Sequence, residues 1–238
     1  MKFRFWKYLT FILLLAYITS SCGPKLPSKR ILFIGNSYTD LNGGLDAHLL
    51  EFAPNSESTR ITPGGYTLQD HWQDANTLEA IRSGDWDVVV LQEQSQNSVT
   101  NYYNFFEYAQ RLNEEIKKAG AETVMFMTWE RPDSVQYGVI AQAVNNAYTA
   151  LGQQLGVKVA PVGLAFSMAL QERPDLKLYI EDGHPTPEGT YLAACVFYGF
   201  IFQQSPTENS YGGDVSNEDK VFLQSIAAKV LGQEIADP

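Results

Sequence analysis

Arg30-Ile31-Leu32-Phe33-Ile34-Gly35-Asn36-Ser37-Tyr38-Thr39-Asp40 is the stretch on which the reading of this chain turns. A β-prone apolar run stops at Gly35, the pattern of a buried strand entering a tight turn. Open α/β sheets bind ligands in the crevice outside the carboxyl ends of their strands. A serine two residues past the glycine is therefore placed as a nucleophile or, more plainly, as the cap of the next helix. Blocks further along the chain decide between the two.

Four more β-like runs follow, at residues 58–61, 87–92, 122–128 and 156–160. Val88-Val89-Val90-Leu91 is apolar throughout, as a strand covered on both faces must be. Between the runs the pattern predicts helices over 45–52, 77–82, 103–118 and 139–155. Phe106, Ala109, Leu112 and Ile116 recur at helical spacing before Gly120. Thr186-Pro187-Glu188 opens a further helix, with threonine as cap and proline in the first turn, and 217–231 is the last. Alternating strands and helices predict an α/β fold, a three-layer α/β/α sandwich around a five-stranded, mostly parallel sheet. No internal repeat or change of composition divides residues 30–238, so they are read as one domain.

Residues 1–21 read as an export signal. Lys2, Arg4 and Lys7 make a basic start, an apolar core runs from 9 to 18, and small residues follow. The core is shorter than the about 20 apolar residues a membrane span needs. Thr19-Ser20-Ser21-Cys22 resembles a bacterial lipobox, which implies cleavage before Cys22, acylation of that residue and a membrane-anchored lipoprotein of the cell envelope. Residues 22–29 would be a tether. Cys195, in the apolar run 191–200, is expected to be a small buried hydrophobe rather than a disulfide partner. The formal charge is −10, and −13 without Lys2, Arg4 and Lys7. With no Lys/Arg cluster after the signal, that balance argues against nucleic acid as a partner.

Three further blocks carry polar groups. Gly64-Gly65 lets the backbone take positive φ and present an N–H to an oxyanion. Gln92-Glu93-Gln94-Ser95-Gln96-Asn97 packs four side-chain amides into one strand end. The chain has three histidines. His48 lies inside a helix and is read as structural. His71 follows the glycine turn and is expected to line the cleft. His184 has Asp182 two residues before it and Glu181 three before it, and a carboxylate so placed can orient an imidazole. A serine needs such a base to take its proton. No Gly-x-Ser-x-Gly elbow or phosphate-binding glycine loop is present. Asp70, His71 and Asp74 lack a recognised metal spacing, so neither metal nor cofactor is expected.

Gly35-Asn36-Ser37, Gly65-Tyr66-Thr67, Leu91-Gln92-Glu93-Gln94 and Asp182-Gly183-His184-Pro185 come in that order along the chain. Together they resemble the SGNH (GDSL-like) hydrolase superfamily over most of the chain after residue 22. The resemblance implies a flavodoxin-like strand order, 2-1-3-4-5. It implies Ser37 as nucleophile, His184 as general base and Asp182 as the acid of a triad, with Glu181 as the alternative. The N–H groups of Ser37 and Gly65 and the side chain of Gln94 would form the oxyanion hole. The chain departs from the family's pattern at Asn36, where Asp is usual, and at Gln94, where Asn is usual; Asn97 or Ser95 are the possible substitutes for Gln94. The implied activity is a serine esterase acting without cofactor on acyl, chiefly acetyl, esters of small molecules or glycans. Tyr38, His71 and Trp129 are expected to contact the substrate. A non-catalytic carbohydrate-binding module and an acyltransferase using the same serine are the competing readings.

Overall fold

The structure, a computed structural model, describes residues 26–232. The export segment and Cys22 lie outside the described residues. From the amino end, β1 (Arg30–Ile34) leads into α1 (Ser37–Asp40) and α2 (Leu45–Phe52). After β2 (Glu57–Ile61) come α3 (Leu68–Gln73) and α4 (Ala75–Ser83). Next are β3 (Val88–Leu91), α5 (Asn97–Thr100) and α6 (Tyr102–Lys118), then β4 (Glu122–Phe126) and α7 (Ala141–Leu155). The chain closes with β5 (Lys158–Ala160), α8 (Val162–Glu172), α9 (Pro187–Phe202) and α10 (Asn217–Leu231).

All strand pairs are parallel, in the order β2-β1-β3-β4-β5. The order and the three layers are those expected from the sequence. Strand alternation divides the core between two faces. Ile31, Phe33, Val88, Val90, Val124 and Phe126 pack with α2, α8, α9 and α10. Leu32, Ile34, Val89, Leu91 and Met125 pack with α4, α6 and α7. The apolar run around Cys195 is buried on nearly all sides because α9 lies between the sheet and its neighbouring helices.

Two features position the site. Chain order reverses at β1, which pairs with β2 on one side and β3 on the other, so the carboxyl ends of β1 and β3 lie side by side in the register Ile34↔Leu91. This is the switch point where such sheets open a crevice. In addition, β3 ends at Leu91 rather than at Gln92, which frees the Gln92 side chain to turn beneath the β1 loop. The sequence had given no helix over Val162–Glu172; that segment opens with Pro161 and Gly163, which mask the periodicity of its buried face, Val162, Ala165, Phe166 and Ala169.

Candidate active site

Ser37 opens α1, and Asn36 caps it by accepting the Tyr38 N–H at 3.1 Å. The cap is pinned from two sides. Gln92 Oε1 accepts the Asn36 N–H at 3.0 Å and the Thr39 hydroxyl at 2.9 Å, and Gln92 Nε2 donates to Asn36 Oδ1 at 2.9 Å. Asn36 Nδ2 donates to Tyr66 O at 2.9 Å, tying the serine turn to the glycine turn. An aspartate at position 36 has no N–H to give Tyr66 O, which accounts for the asparagine. Gly35 has to be glycine because a Cβ there would stand 2.5 Å from Gln92 Oε1.

Ser37 Oγ lies 2.9 Å from His184 Nε2, and His184 Nδ1 lies 2.9 Å from Asp182 Oδ1. Asp182 Oδ1 also accepts the His184 N–H at 3.1 Å. The hydrogen bonds from His184, with a smaller contribution from Arg131, hold the Asp182 carboxyl below the usual range, so it is ionised where the imidazole works. Glu181, the alternative acid, is exposed and makes no contact with His184. The extra residue expected between acid and base is absent, and the tight turn through Gly183 makes the shorter spacing sufficient.

The loop that carries His184 is clamped at three carbonyls. Tyr38 Oη donates to Asp182 O at 3.4 Å, Trp129 Nε1 to Gly183 O at 3.0 Å and Asn42 Nδ2 to Pro185 O at 3.0 Å. Trp129 is not among the residues that line the Ser37 cleft. It is 2% exposed, stacked between Tyr38 and Phe166 at centroid distances of 4.8 and 4.1 Å. His71 is also placed otherwise than expected. It is wholly buried, with Nε2 donating to Gly35 O at 2.8 Å and Nδ1 facing the Thr77 hydroxyl at 3.1 Å. Burial lowers its basicity, and it supports the floor of the site, outside the lining of the cleft. Tyr38 does line the cleft, its ring centroid 5.3 Å from that of His184 in an edge-on arrangement, and burial pushes its phenol up to about 12. His48 is structural as read, bonded to Asn42 O and the Tyr211 hydroxyl at 2.8 Å each.

Asn36, Ser37, Tyr38, Gly65, Gln94, Ser95, Arg131 and His184 enclose a cleft of about 200 Å³. Gly65 sits at φ 76° and, like Ser37, has a backbone N–H with no acceptor among the described residues. Two free N–H groups beside a serine hydroxyl are what an oxyanion requires. The Gln94 amide borders the same cleft but folds back on its own loop: Oε1 accepts the Gln96 N–H at 2.8 Å and Nε2 donates to Ser95 Oγ at 3.2 Å. Ser95 also borders the cleft, its Oγ accepting from Gln94 Nε2 and Arg131 Nη1, and the Gln96 amide turns away to Ser134 at 2.7 Å. Arg131, which no sequence pattern marked, donates Nη1 to Ser95 Oγ at 3.1 Å while Asp133 accepts Nε and Nη2 at 2.6 and 2.9 Å. Asp133 holds the guanidinium charged, and the bond to Ser95 makes it a brace for the Gln94 loop.

No family model and no curated protein matches the chain. Solved structures do. A protein from Slackia heliotrinireducens assigned as an SGNH hydrolase is 28% identical, with a TM-score of 0.66 over 74% of this chain and 100% of that one. A DUF4886-family protein from Bacteroides uniformis is 18% identical, with a TM-score of 0.73 over 88% and 98%. An acetyl xylan esterase is 19% identical, with a TM-score of 0.60 over 72% and 99%. With its parallel sheet in the order 2-1-3-4-5, the chain is a protein of the SGNH (GDSL-like) hydrolase fold.

Proposed function

We propose that the protein is a serine esterase that removes acyl groups, chiefly acetyl, from carbohydrate esters. The observation that carries this reading is the line from Ser37 Oγ through His184 to Asp182 at 2.9 Å per step, beside two unpaired N–H groups. Ser37 Oγ attacks the ester carbonyl as His184 Nε2 takes its proton. Asp182 holds the ring with its proton on Nδ1 and stabilises the imidazolium. The carbonyl oxygen, now negative, accepts from the Ser37 and Gly65 N–H groups, with the Gln94 Nε2 hydrogen not given to Ser95 as a third donor at the rim. His184 passes the proton to the leaving alcohol, and the ester C–O bond breaks. Water, deprotonated by His184, then releases the acid from Ser37.

A cleft of about 200 Å³ fits a short acyl group, which supports acetyl over long chains. The likeness to an acetyl xylan esterase supports a carbohydrate alcohol. On this reading the export segment directs the chain out of the cytoplasm and is removed, and acylated Cys22 holds the enzyme to the membrane of a bacterial envelope, facing glycans. The test is acetate release by the purified protein from acetylated xylan and from p-nitrophenyl acetate, beside p-nitrophenyl octanoate. Turnover of the acetyl substrates, with the octanoate at least tenfold slower, is expected. Faster turnover of the octanoate would reverse the acyl assignment, and acetate that stays bound or moves to an acceptor sugar would replace hydrolysis with transfer.

A further inference from the structure

Behind the cleft lies a carboxyl that the proposed chemistry leaves unused. Glu93 is wholly buried at the end of β3. Its Oε1 accepts the Gln94 N–H at 2.6 Å and the Leu68 N–H at 3.4 Å. Gln94 belongs to the amide loop; Leu68 opens α3, three residues after Gly65. Among the described residues this is the only hydrogen bond that joins those two loops directly. Each loop carries one of the donors assigned to the oxyanion. A buried carboxyl in such a place is costly unless it is bonded, and Oε2 has no well-formed bond of its own. The buried Tyr148 hydroxyl of α7 lies close to the Glu93 backbone and to Thr128.

We propose that Glu93 is a positioning residue whose carboxyl fixes the Gln94 loop against the first turn of α3 and thereby sets the spacing of the Gly65 and Gln94 donors. This rests on the esterase reading of the site. A brace on the oxyanion donors acts on the transition state and not on the bound ester, so its loss lowers kcat and leaves KM nearly unchanged. Burial raises the Glu93 acid from 4.5 to about 7, and Asp70 on α3 adds to the rise; the Gln94 and Leu68 N–H groups and the Asn97 side chain oppose it. The folded protein thus retains a proton that the unfolded chain has released above about 4.5. Stability from this group falls as pH rises from there to about 7.

Glu93→Ala and Glu93→Gln are compared in the full chain. Glutamine keeps an oxygen that can accept the Gln94 and Leu68 N–H groups and removes the titrating proton. Glu93→Ala is expected to lower kcat about 10- to 100-fold, less than the loss of an entire oxyanion donor, with KM within about twofold. Glu93→Gln should recover most of that loss. Wild-type kcat in Glu93→Ala, or Glu93→Gln as slow as Glu93→Ala, overturns the proposal. Two readouts stand apart from turnover. Amide exchange at Leu68 and Gln94 should quicken in Glu93→Ala and recover in Glu93→Gln; unchanged protection contradicts the tie. If Glu93→Ala does not fold, the wild-type melting temperature should still decline more steeply than that of Glu93→Gln between pH 4.5 and 7, and equal slopes would contradict the buried acid. Absence of any Ser37-dependent turnover in the wild type defeats the esterase reading alone and leaves these two readouts to judge Glu93.

Discussion

Ser37→Ala should lower kcat for p-nitrophenyl acetate by about 10⁴-fold or more, the scale on which a triad serine matters in hydrolases that share this chemistry. The side chain has one hydrogen bond, to His184 Nε2, and no part in capping α1, which falls to Asn36. Its removal should therefore leave the fold intact, with a change in stability below about 1 kcal/mol, the range of substitutions that disturb neither core nor cap. The residual rate would come from the free N–H groups of residues 37 and 65, which the variant retains. A kcat within tenfold of the wild type, in protein with an unchanged melting temperature, would remove Ser37 from the chemistry.

Asp182→Asn should be the second largest loss, about 10²- to 10⁴-fold in kcat. An amide at this position cannot hold a proton on His184 Nδ1 as a carboxylate does, so the ring loses its working tautomer and the charge that stabilises the imidazolium. The lower end of that range is the better guide, because the Asp182 side chain is about half exposed and water screens it. The backbone bond from His184 N to Oδ1 can survive the change, so the loop should keep its shape. Glu181→Gln, one residue away, should stay within about twofold of the wild type. The opposite ranking of the two variants, read from kcat at saturating ester, would make Glu181 the acid.

Much of this was legible in the sequence because it rests on short-range rules. The β1 run ending at Gly35, the unbroken valines of β3 and the Thr186-Pro187 helix start each carry a local signature, and together they fixed the α/β alternation. The geometry of the acid was harder. Sequence spacing left Glu181 and Asp182 open; the Gly183 turn brings Asp182 to His184 Nδ1 by returning the chain within two residues. The support of the site was not legible at all. Trp129 and His71 were expected in the cleft because an aromatic or imidazole near a strand end is a common ligand contact. They are buried instead, because the carbonyls of Gly183 and Gly35 need donors, and that need appears only once the loops are packed together. Arg131, Asn42 and Gln92 belong to the same class. Each acts through a partner 36 or more residues away in sequence, and no local pattern records such a pairing. Gln94 was found by its place in the third block, but its folded-back amide follows from the Ser95 and Gln96 bonds of its own loop.

The central claim is that Ser37 is a nucleophile activated by His184. Its most direct measurement is covalent capture: the full chain is treated with a fluorophosphonate, digested, and the modified residue located by mass spectrometry. One adduct per chain on Ser37, lost in His184→Ala, is the predicted result. A chain that takes no adduct, or takes it on another serine such as Ser95, would contradict the account.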